Sequence, residues 1–167
     1  GDGQPDVFLT AVGENRLFKN LGEGRFEDVT AGAGVGGLVS DWSTCASWFD
    51  CDNDGDLDLF VGNYVKWSKE IDFQLGSTLV GLGRAYGQPM NFEGSYPILF
   101  QNEGDGSFTD VSEESGVRVS NKASGVPVAK SLGIAPIDLN RDGWMDFIVA
   151  NDTVRNFVFS NLWDRTF

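Results

Sequence analysis

The chain has 167 residues, with 25 acidic and 12 basic side chains and a formal net charge of −13. This balance makes nucleic acid a poor partner, because phosphate binding needs clustered Lys and Arg, and it disfavours an anionic membrane surface. The sequence contains no histidine, which excludes Ser-His-Asp and Cys-His catalysis and His-ligated zinc within this chain. The 22 glycines, with many Asp and Asn, indicate tight turns between short strands. No long segment has helical spacing of its apolar residues, so we predict an all-β fold.

Two sequence elements alternate along the chain, which is the signature of a repeat protein. The first is an acidic loop followed by a β-rich run, found at residues 2–9, 50–63 and 138–151. The second is a segment centred on a turn, usually with two glycines, found at residues 15–30, 97–112 and 156–167. Both ends of the sequence fall inside a repeat. We therefore interpret the chain as a segment of a longer repeat array.

Each full repeat is predicted to form four short antiparallel strands, which in the middle repeat are Thr44–Phe49, Leu57–Gly62, Ile98–Gln101 and Phe108–Val111. A four-stranded sheet that recurs at a fixed period is a β-propeller blade, and a closed propeller needs at least about four blades. The sequence therefore predicts a partial propeller of about two to three blades. We expect a partial blade at 1–36, a complete blade at 37–119 and a partial blade at 120–167.

The middle repeat contains an insertion. Asn20 follows Asp6 by 14 residues, but Asn102 follows Asp58 by 44, so about 30 extra residues lie at roughly 64–95. Long loops on a rigid scaffold often carry function. This one contains the polar and aromatic mixture found at binding hot spots, namely Lys66, Trp67, Lys69, Arg84 and Tyr86. We expect either a recognition surface or a lid packed on a neighbouring blade or subunit.

The acidic loops have the spacing of calcium sites. Calcium binds six to eight oxygens, and a loop with oxygen side chains at positions 1, 3, 5 and 9 and glycine at position 6 can wrap such an ion. Without a cation, the converging carboxylates would repel by several kcal/mol. The metal-free alternative is that the loops are simple Asp/Asn/Gly turns. We predict two complete Ca²⁺ sites and one truncated site, with ligands Asp50, Asp52, Asp54, the Asp56 carbonyl and Asp58; Asp138, Asn140, Asp142, the Trp144 carbonyl and Asp146; and Asp2, the Gln4 carbonyl and Asp6.

An EF-hand is the obvious competitor for the two full loops. It requires Glu at position 12 and flanking helices, but position 12 is Val61 or Val149, inside an apolar β-rich run. A strand–loop–strand calcium site is therefore favoured. The two cysteines, Cys45 and Cys51, pair only if the chain folds back sharply. We expect them to be free, with Cys45 buried.

The repeated motifs resemble the FG-GAP/VCBS repeats of integrin-α-like propellers. They are most similar to the cartilage acidic protein and ASPIC/UnbV group of secreted propellers. The segments that carry this likeness are Asp58–Val65, Leu99–Asn102, Ser131–Asp138, Val149–Thr153 and Asn156–Asn161. The resemblance implies calcium binding and a secreted, extracellular or periplasmic location. Two features depart from the group: the segment 66–96 has no cysteine, and Trp163 and Arg165 replace two turn glycines.

Three functions are compatible with these features. The first is a calcium-stabilised, adhesion-type module that binds a protein or glycan and is not an enzyme. The second is a structural subunit of a larger envelope or extracellular assembly. The third is a lyase or glycosidase, which needs uncommitted carboxylates or a Tyr/Lys/Arg cluster in one cleft. We expect the partners to be a protein or glycan ligand, neighbouring subunits and the remainder of the same propeller, with neither nucleic acid nor direct membrane insertion.

Overall fold

Antiparallel strands carry most of the regular structure in the computed structural model, which describes residues 3–167. Within these residues the elements follow the order β1 (Val7–Leu9), β2 (Arg16–Asn20), β3 (Phe26–Asp28), α1 (Thr30–Ala33), β4 (Ser43–Phe49), β5 (Asp58–Asn63), α2 (Lys69–Leu75), β6 (Thr78–Leu79), β7 (Gly83–Arg84), a 3-10 turn (Pro89–Asn91), β8 (Ile98–Asn102), β9 (Phe108–Asp110), β10 (Ser131–Ile137), β11 (Asp146–Asn151) and β12 (Phe157–Phe159). The predicted all-β fold is confirmed. Both helices are short.

The strands form three successive sheets and one small hairpin. The first sheet has the order β1-β2-β3, the middle sheet β4-β5-β8-β9 and the last sheet β10-β11-β12, while β6 and β7 pair with each other. One sheet lies within each of the segments 1–36, 37–119 and 120–167. Their assignment as propeller blades stays a prediction. In the middle sheet, the expected strand limits are within one residue of those observed.

Consecutive sheets pack face to face, and β5 shows why. All six of its residues are buried, and successive side chains of a strand point to opposite faces. Leu59 and Val61 join Leu17 of the first sheet in one apolar cluster. Phe60 joins Phe147 of the last sheet in the other. The middle sheet is therefore covered on both faces, which explains why Leu59, Phe60 and Val61 are consecutive apolar residues in β5.

The middle and last sheets approach closely at Gly62 of β5. A Cβ added there would lie 2.5 Å from Cys45 Sγ and 2.8 Å from Ser131 Cβ, so no larger side chain fits without movement. Thr44 Oγ1 donates a hydrogen bond of 2.5 Å to the Ser131 carbonyl at the same seam. Both cysteines are free as expected, but Cys51 is the buried one and Cys45 is only partly buried. The expectation of a buried Cys45 was wrong, because the side chain faces Gly62 at this seam but is only partly covered.

The two ends of the insertion, which lies between β5 and β8, are joined by backbone hydrogen bonds. Val65 and Gly94 form an antiparallel bridge, and the Lys66 N–H donates to the Glu93 carbonyl at 2.9 Å. Ser68 is the N-cap of helix α2, and its hydroxyl accepts a hydrogen bond from the Ile71 N–H at 3.2 Å, as expected of a serine at this position. The insertion thus has regular structure of its own.

The packing predicts that Phe147→Ala destabilises the fold strongly. The ring of Phe147 is fully buried and contacts the rings of Phe49, Phe60, Phe159 and Phe167. Its loss should lower the free energy of unfolding by about 3–5 kcal/mol, measured by urea denaturation. Val158→Ala on the neighbouring strand is the control, because Val158 is 62% exposed and should change stability by less than about 0.5 kcal/mol. Equal effects would contradict this assignment of the core.

Candidate metal centre

The two full acidic loops adopt the same backbone path, one between β4 and β5 and the other between β10 and β11. The fourth residue of each loop has positive φ, 59° at Asn53 and 63° at Arg141. The sixth residue is a glycine with φ of 94° at Gly55 and 87° at Gly143. Glycine adopts this conformation without the steric cost of a side chain, and asparagine tolerates it better than most residues. Arg141 has neither advantage and follows the same path.

Backbone N–H groups fix the acidic side chains around the inside of each loop. The sixth residue donates to the carboxylate at position 1, the fifth to the side chain at position 3, and the seventh to the carboxylate at position 5. These bonds are Gly55 N to Asp50 Oδ2 at 3.0 Å, Asp54 N to Asp52 Oδ1 at 3.3 Å and Asp56 N to Asp54 Oδ1 at 2.8 Å in the middle loop, and Gly143 N to Asp138 Oδ2 at 3.0 Å, Asp142 N to Asn140 Oδ1 at 3.0 Å and Trp144 N to Asp142 Oδ1 at 2.9 Å in the last loop. The two loops are structural repeats of each other.

The aspartate at position 9 is buried in both loops and joins each loop to its sheet. Asp58 is 1% exposed, and its two carboxylate oxygens accept from Cys51 N at 2.8 Å and Asn102 N at 2.9 Å. Asp146 is fully buried and accepts from Leu139 N at 2.9 Å and Asn161 N at 2.8 Å. Each carboxylate therefore fixes its own loop and the start of the next hairpin.

An asparagine completes this arrangement, and sequence reasoning gave it no role. The side-chain amide of Asn102 also donates a hydrogen bond to the Leu57 carbonyl at 3.0 Å. Asn102 is therefore bonded to the start of β5 through both its backbone N–H and its side chain. We call this pair of residues the Asp–Asn clasp. It recurs at Asp6 with Asn20 and at Asp146 with Asn161. The signal was present, because the three asparagines occupy equivalent places in the three hairpins.

The middle loop brings three carboxylates together. One oxygen from each of Asp50, Asp52 and Asp58 lies within 4.8 Å of the others. The Oδ1 atom of Asp50 is buried and has no hydrogen-bond partner. Burial, followed by the nearby charges of Asp58 and Asp54, raises the pKa of Asp52. A buried acceptor without a donor is costly, and a cation among these oxygens would remove both the deficit and the repulsion. The donor set is therefore suited to a hard divalent ion such as calcium.

The other two predicted ligand residues of the middle loop, Asp54 and Asp56, are not part of this three-carboxylate group. Asp54 is exposed and Asp56 is partly buried. The Asp56 carboxylate lies against the next hairpin, where a Cβ added at Gly104 would be 3.0 Å from its Oδ2. The ligand predicted from Asp56 is its backbone carbonyl. The position of the Asp56 side chain does not test that prediction.

The remaining predicted ligands do not form a second three-carboxylate group in residues 3–167. In the last loop, Asn140 occupies the position of Asp52, which leaves Asp138, Asp142 and Asp146 as the carboxylates. In the first loop, Gln4 and Asp6 are exposed, and Asp2 lies outside the described residues. The calcium roles of both loops stay predictions.

The polar residues of the insertion mainly stabilise the insertion itself. Arg84 pairs with Asp72 at 2.6 Å, and its guanidinium lies 3.6 Å from the centroid of the Phe73 ring. Asp72 is 4% exposed and also accepts from the Gly87 N–H at 3.2 Å. Arg84 is thus committed to a buried structural partner, whereas Tyr86 is 86% exposed.

A second polar contact ties the insertion to the last sheet. Tyr64 donates from its hydroxyl to Asp152 Oδ2 at 2.5 Å, and burial followed by the Asp152 hydrogen bond raises the pKa of Tyr64 to about 12. Lys130 is 6% exposed and donates to the Pro89 carbonyl at 2.7 Å. Burial lowers the pKa of Lys130. Sequence reasoning missed this contact because 88 residues separate Tyr64 from Asp152.

Comparison with known proteins agrees with the repeat pattern. Residues 1–61 match the sequence profile of the FG-GAP-like repeat. This match supports an FG-GAP-like repeat in that part of the chain. The matched segment includes the first sheet and extends through the middle acidic loop into β5. No curated protein gives a significant match. None of the helices in residues 3–167 has the length and apolar character needed to cross a membrane.

The clasp predicts that Asp146→Asn destabilises the protein even when calcium is removed. The amide keeps one acceptor but turns a donor toward a buried backbone N–H, which should cost about 2–3 kcal/mol. The measurement is urea denaturation in excess EGTA. Asp6→Asn is the matched control, because it changes the same clasp at an exposed position and should cost much less. An Asp146→Asn protein as stable as the parent would show that the clasp contributes little.

Proposed function

We propose that this chain is a segment of an extracellular, calcium-binding FG-GAP/VCBS β-propeller that serves as a protein- or glycan-binding module. The observation that carries the calcium part is the group formed by Asp50, Asp52 and Asp58, with its buried, unpartnered Asp50 Oδ1. Two unit charges 4 Å apart repel by about 4 kcal/mol at an effective dielectric constant near 20. Three carboxylates held this close are therefore best explained by a bound cation.

Calcium fits the middle loop better than magnesium does. Calcium accepts six to eight oxygens in flexible geometry, whereas magnesium demands octahedral geometry and usually keeps several waters. Asp50, Asp52, Asp54, the Asp56 carbonyl and Asp58 would hold the ion. The last loop has the same backbone path and is proposed as the second site. Millimolar extracellular calcium is sufficient for sites of modest affinity, and binding would stabilise the hairpins.

The propeller assignment is supported by the matched repeat and by the packing of the sheets. FG-GAP-like repeats are the units of integrin-like propellers, and the three sheets here stack face to face through β5. The remainder of the same propeller would supply the missing blades. The likeness to the cartilage acidic protein and ASPIC/UnbV group, and the extracellular or periplasmic location it implies, belong to the same proposal.

The insertion is the segment proposed to contact a partner. Its β6–β7 hairpin exposes large apolar side chains, with exposed fractions of 57% at Leu79, 105% at Val80 and 80% at Leu82. The base beneath it is fixed by the Val65–Gly94 bridge. Exposed apolar groups on a rigid base are typical of interaction sites. The same hairpin also favours the second candidate, a structural subunit whose insertion serves as a contact arm.

An enzymatic role is not part of the proposal. Glycosidases and lyases need carboxylates or a Tyr/Lys/Arg cluster that are available to substrate. Here Asp72 is engaged by Arg84, and Asp152 by Tyr64. The repeat aspartates are engaged in the loops and clasps.

Calcium binding is tested with Asp50→Asn. Isothermal titration of the chelator-treated parent should show calcium binding, and the melting temperature should fall in excess EGTA. Saturation at 100 times the dissociation constant corresponds to about 2.7 kcal/mol. Asp50→Asn removes the charge and an unpartnered acceptor, so affinity at one site should fall roughly tenfold or more. Asp105→Asn, in an exposed hairpin turn, is the control. An unchanged melting temperature in EGTA would count against a structural calcium ion.

The partner-binding role is tested with the double substitution V80S/L82S. The parent should bind members of a printed glycan array or a panel of purified extracellular-matrix proteins, and the variant should lose that binding while keeping its fold and calcium affinity. The control is L38S/V39S, which removes an exposed apolar pair outside the insertion. Equal binding by V80S/L82S and the parent would contradict the proposed role of the hairpin. Self-association that is lost in V80S/L82S, measured by light scattering, would favour the structural subunit instead.

A further inference from the structure

The turn of the last hairpin has two side chains where the other hairpins have glycine. Trp163 and Arg165 have φ of 73° and 61°. The corresponding glycines are Gly22 and Gly24 in the first sheet and Gly104 and Gly106 in the middle sheet, with φ of 77°, 73°, 76° and 94°. The middle and last turns therefore share the same pattern of positive φ, while the first turn has a further positive φ of 54° at Glu23. Bulky residues rarely adopt positive φ, and such strain persists where the surrounding structure holds it in place.

Trp163 uses its side chain to contact the last acidic loop. The indole Nε1–H donates to Asp142 Oδ2 at 2.8 Å. The other oxygen of Asp142 accepts from the Trp144 N–H at 2.9 Å. The indole therefore fixes the rotation of a carboxylate proposed as a calcium ligand, and the glycines of the other turns have no side chain to do this.

Arg165 interacts with the middle loop through the side chain of Gln101. Its guanidinium donates to Gln101 Oε1, and Gln101 Nε2 donates to Asp52 Oδ2 at 2.8 Å. The base of the same hairpin also contacts this loop, because Asn161 Nδ2 donates to the Cys51 carbonyl at 2.7 Å. One hairpin thus contacts both full loops.

We propose that Trp163 and Arg165 are positioning residues that orient Asp142 and Asp52 for calcium. The proposal rests on the calcium binding proposed above. A carboxylate that is already held in its binding orientation loses less freedom when the ion binds, which increases affinity. Arg165 acts on Asp52 through Gln101, so its positive charge does not contact the carboxylates directly. The strained turn is retained because these two side chains act on the loops.

The two effects are separated by disabling one loop at a time. Asp50→Asn leaves the last loop as the intact site, and Asp138→Asn leaves the middle loop. In the Asp50→Asn background, Trp163→Phe keeps an aromatic ring but removes the N–H donor, and should weaken calcium binding about three- to tenfold. In the Asp138→Asn background, the same Trp163→Phe substitution should leave the affinity unchanged. Isothermal titration gives both values.

Arg165→Gly gives the sharper test because it should lower calcium affinity without lowering the stability of the calcium-free protein. In the Asp138→Asn background it should weaken calcium binding about three- to tenfold. Glycine relieves the positive φ, so stability in excess EGTA should be unchanged or higher. Arg165→Lys retains a donor for Gln101 and should restore part of the affinity. Arg25→Gly is the control for calcium affinity, because Arg25 follows the position equivalent to Arg165 in the first hairpin and its ion pair is with the exposed Glu23.

Three results would overturn the proposal. The first is unchanged calcium affinity for both substitutions in their test backgrounds. The second is a loss of affinity matched by an equal loss of stability in EGTA, because a hairpin with a purely structural role gives that pattern. The third is no calcium binding by the parent, which contradicts the proposed function itself and is distinguished from the other two by the parent titration alone.

Discussion

The buried aspartate at the ninth loop position is the interaction on which the rest of the repeat depends. Asp58 accepts one backbone N–H from its own loop and another from Asn102 at the end of β8. The same carboxylate contributes an oxygen to the group with Asp50 and Asp52. A single side chain therefore joins the loop, the sheet and the proposed ion site. Any cation bound there would stabilise the fold directly, since the ligand and the structural contact are one residue.

The local features of this fold could be read from the sequence, and the contacts between repeats could not. Strand limits in the middle sheet were predicted to within one residue, because glycine turns and β-rich runs are encoded by neighbouring residues. Helix α2 was missed, since its seven residues give too short a periodic signal. The Tyr64–Asp152 contact was missed because it joins distant strand ends. The turn at Trp163 and Arg165 kept its glycine-like shape, which local propensity alone does not predict.

Among the acidic residues whose pKa departs from its ordinary value, the direction of the shift separates two groups. Hydrogen bonds from hydroxyl and backbone donors lower the pKa of Asp28 beside Thr30, of Asp105 beside Ser107 and of Asp164 beside Thr166. The charged form of each is thus satisfied by the protein itself. Asp52 differs, because burial and neighbouring carboxylates raise its pKa. Burial also raises the pKa of Asp41, and of these two residues Asp52, in the middle loop, is the one at which neighbouring carboxylates add to the shift.

The hydrogen bonds that the carboxylates receive also distinguish the last loop from the middle loop. In the last loop, the backbone N–H of Trp144 and then the indole of Trp163 and the amide of Asn140 lower the pKa of Asp142, and an amide replaces the carboxylate at position 3. The protein supplies donors there that the middle loop lacks. Calcium affinity in such loops increases with the number of charged ligands. The middle loop has one carboxylate more and an unpartnered acceptor at Asp50. A bound cation would therefore stabilise the middle loop more than the last loop, whose carboxylate at Asp142 already receives several hydrogen bonds.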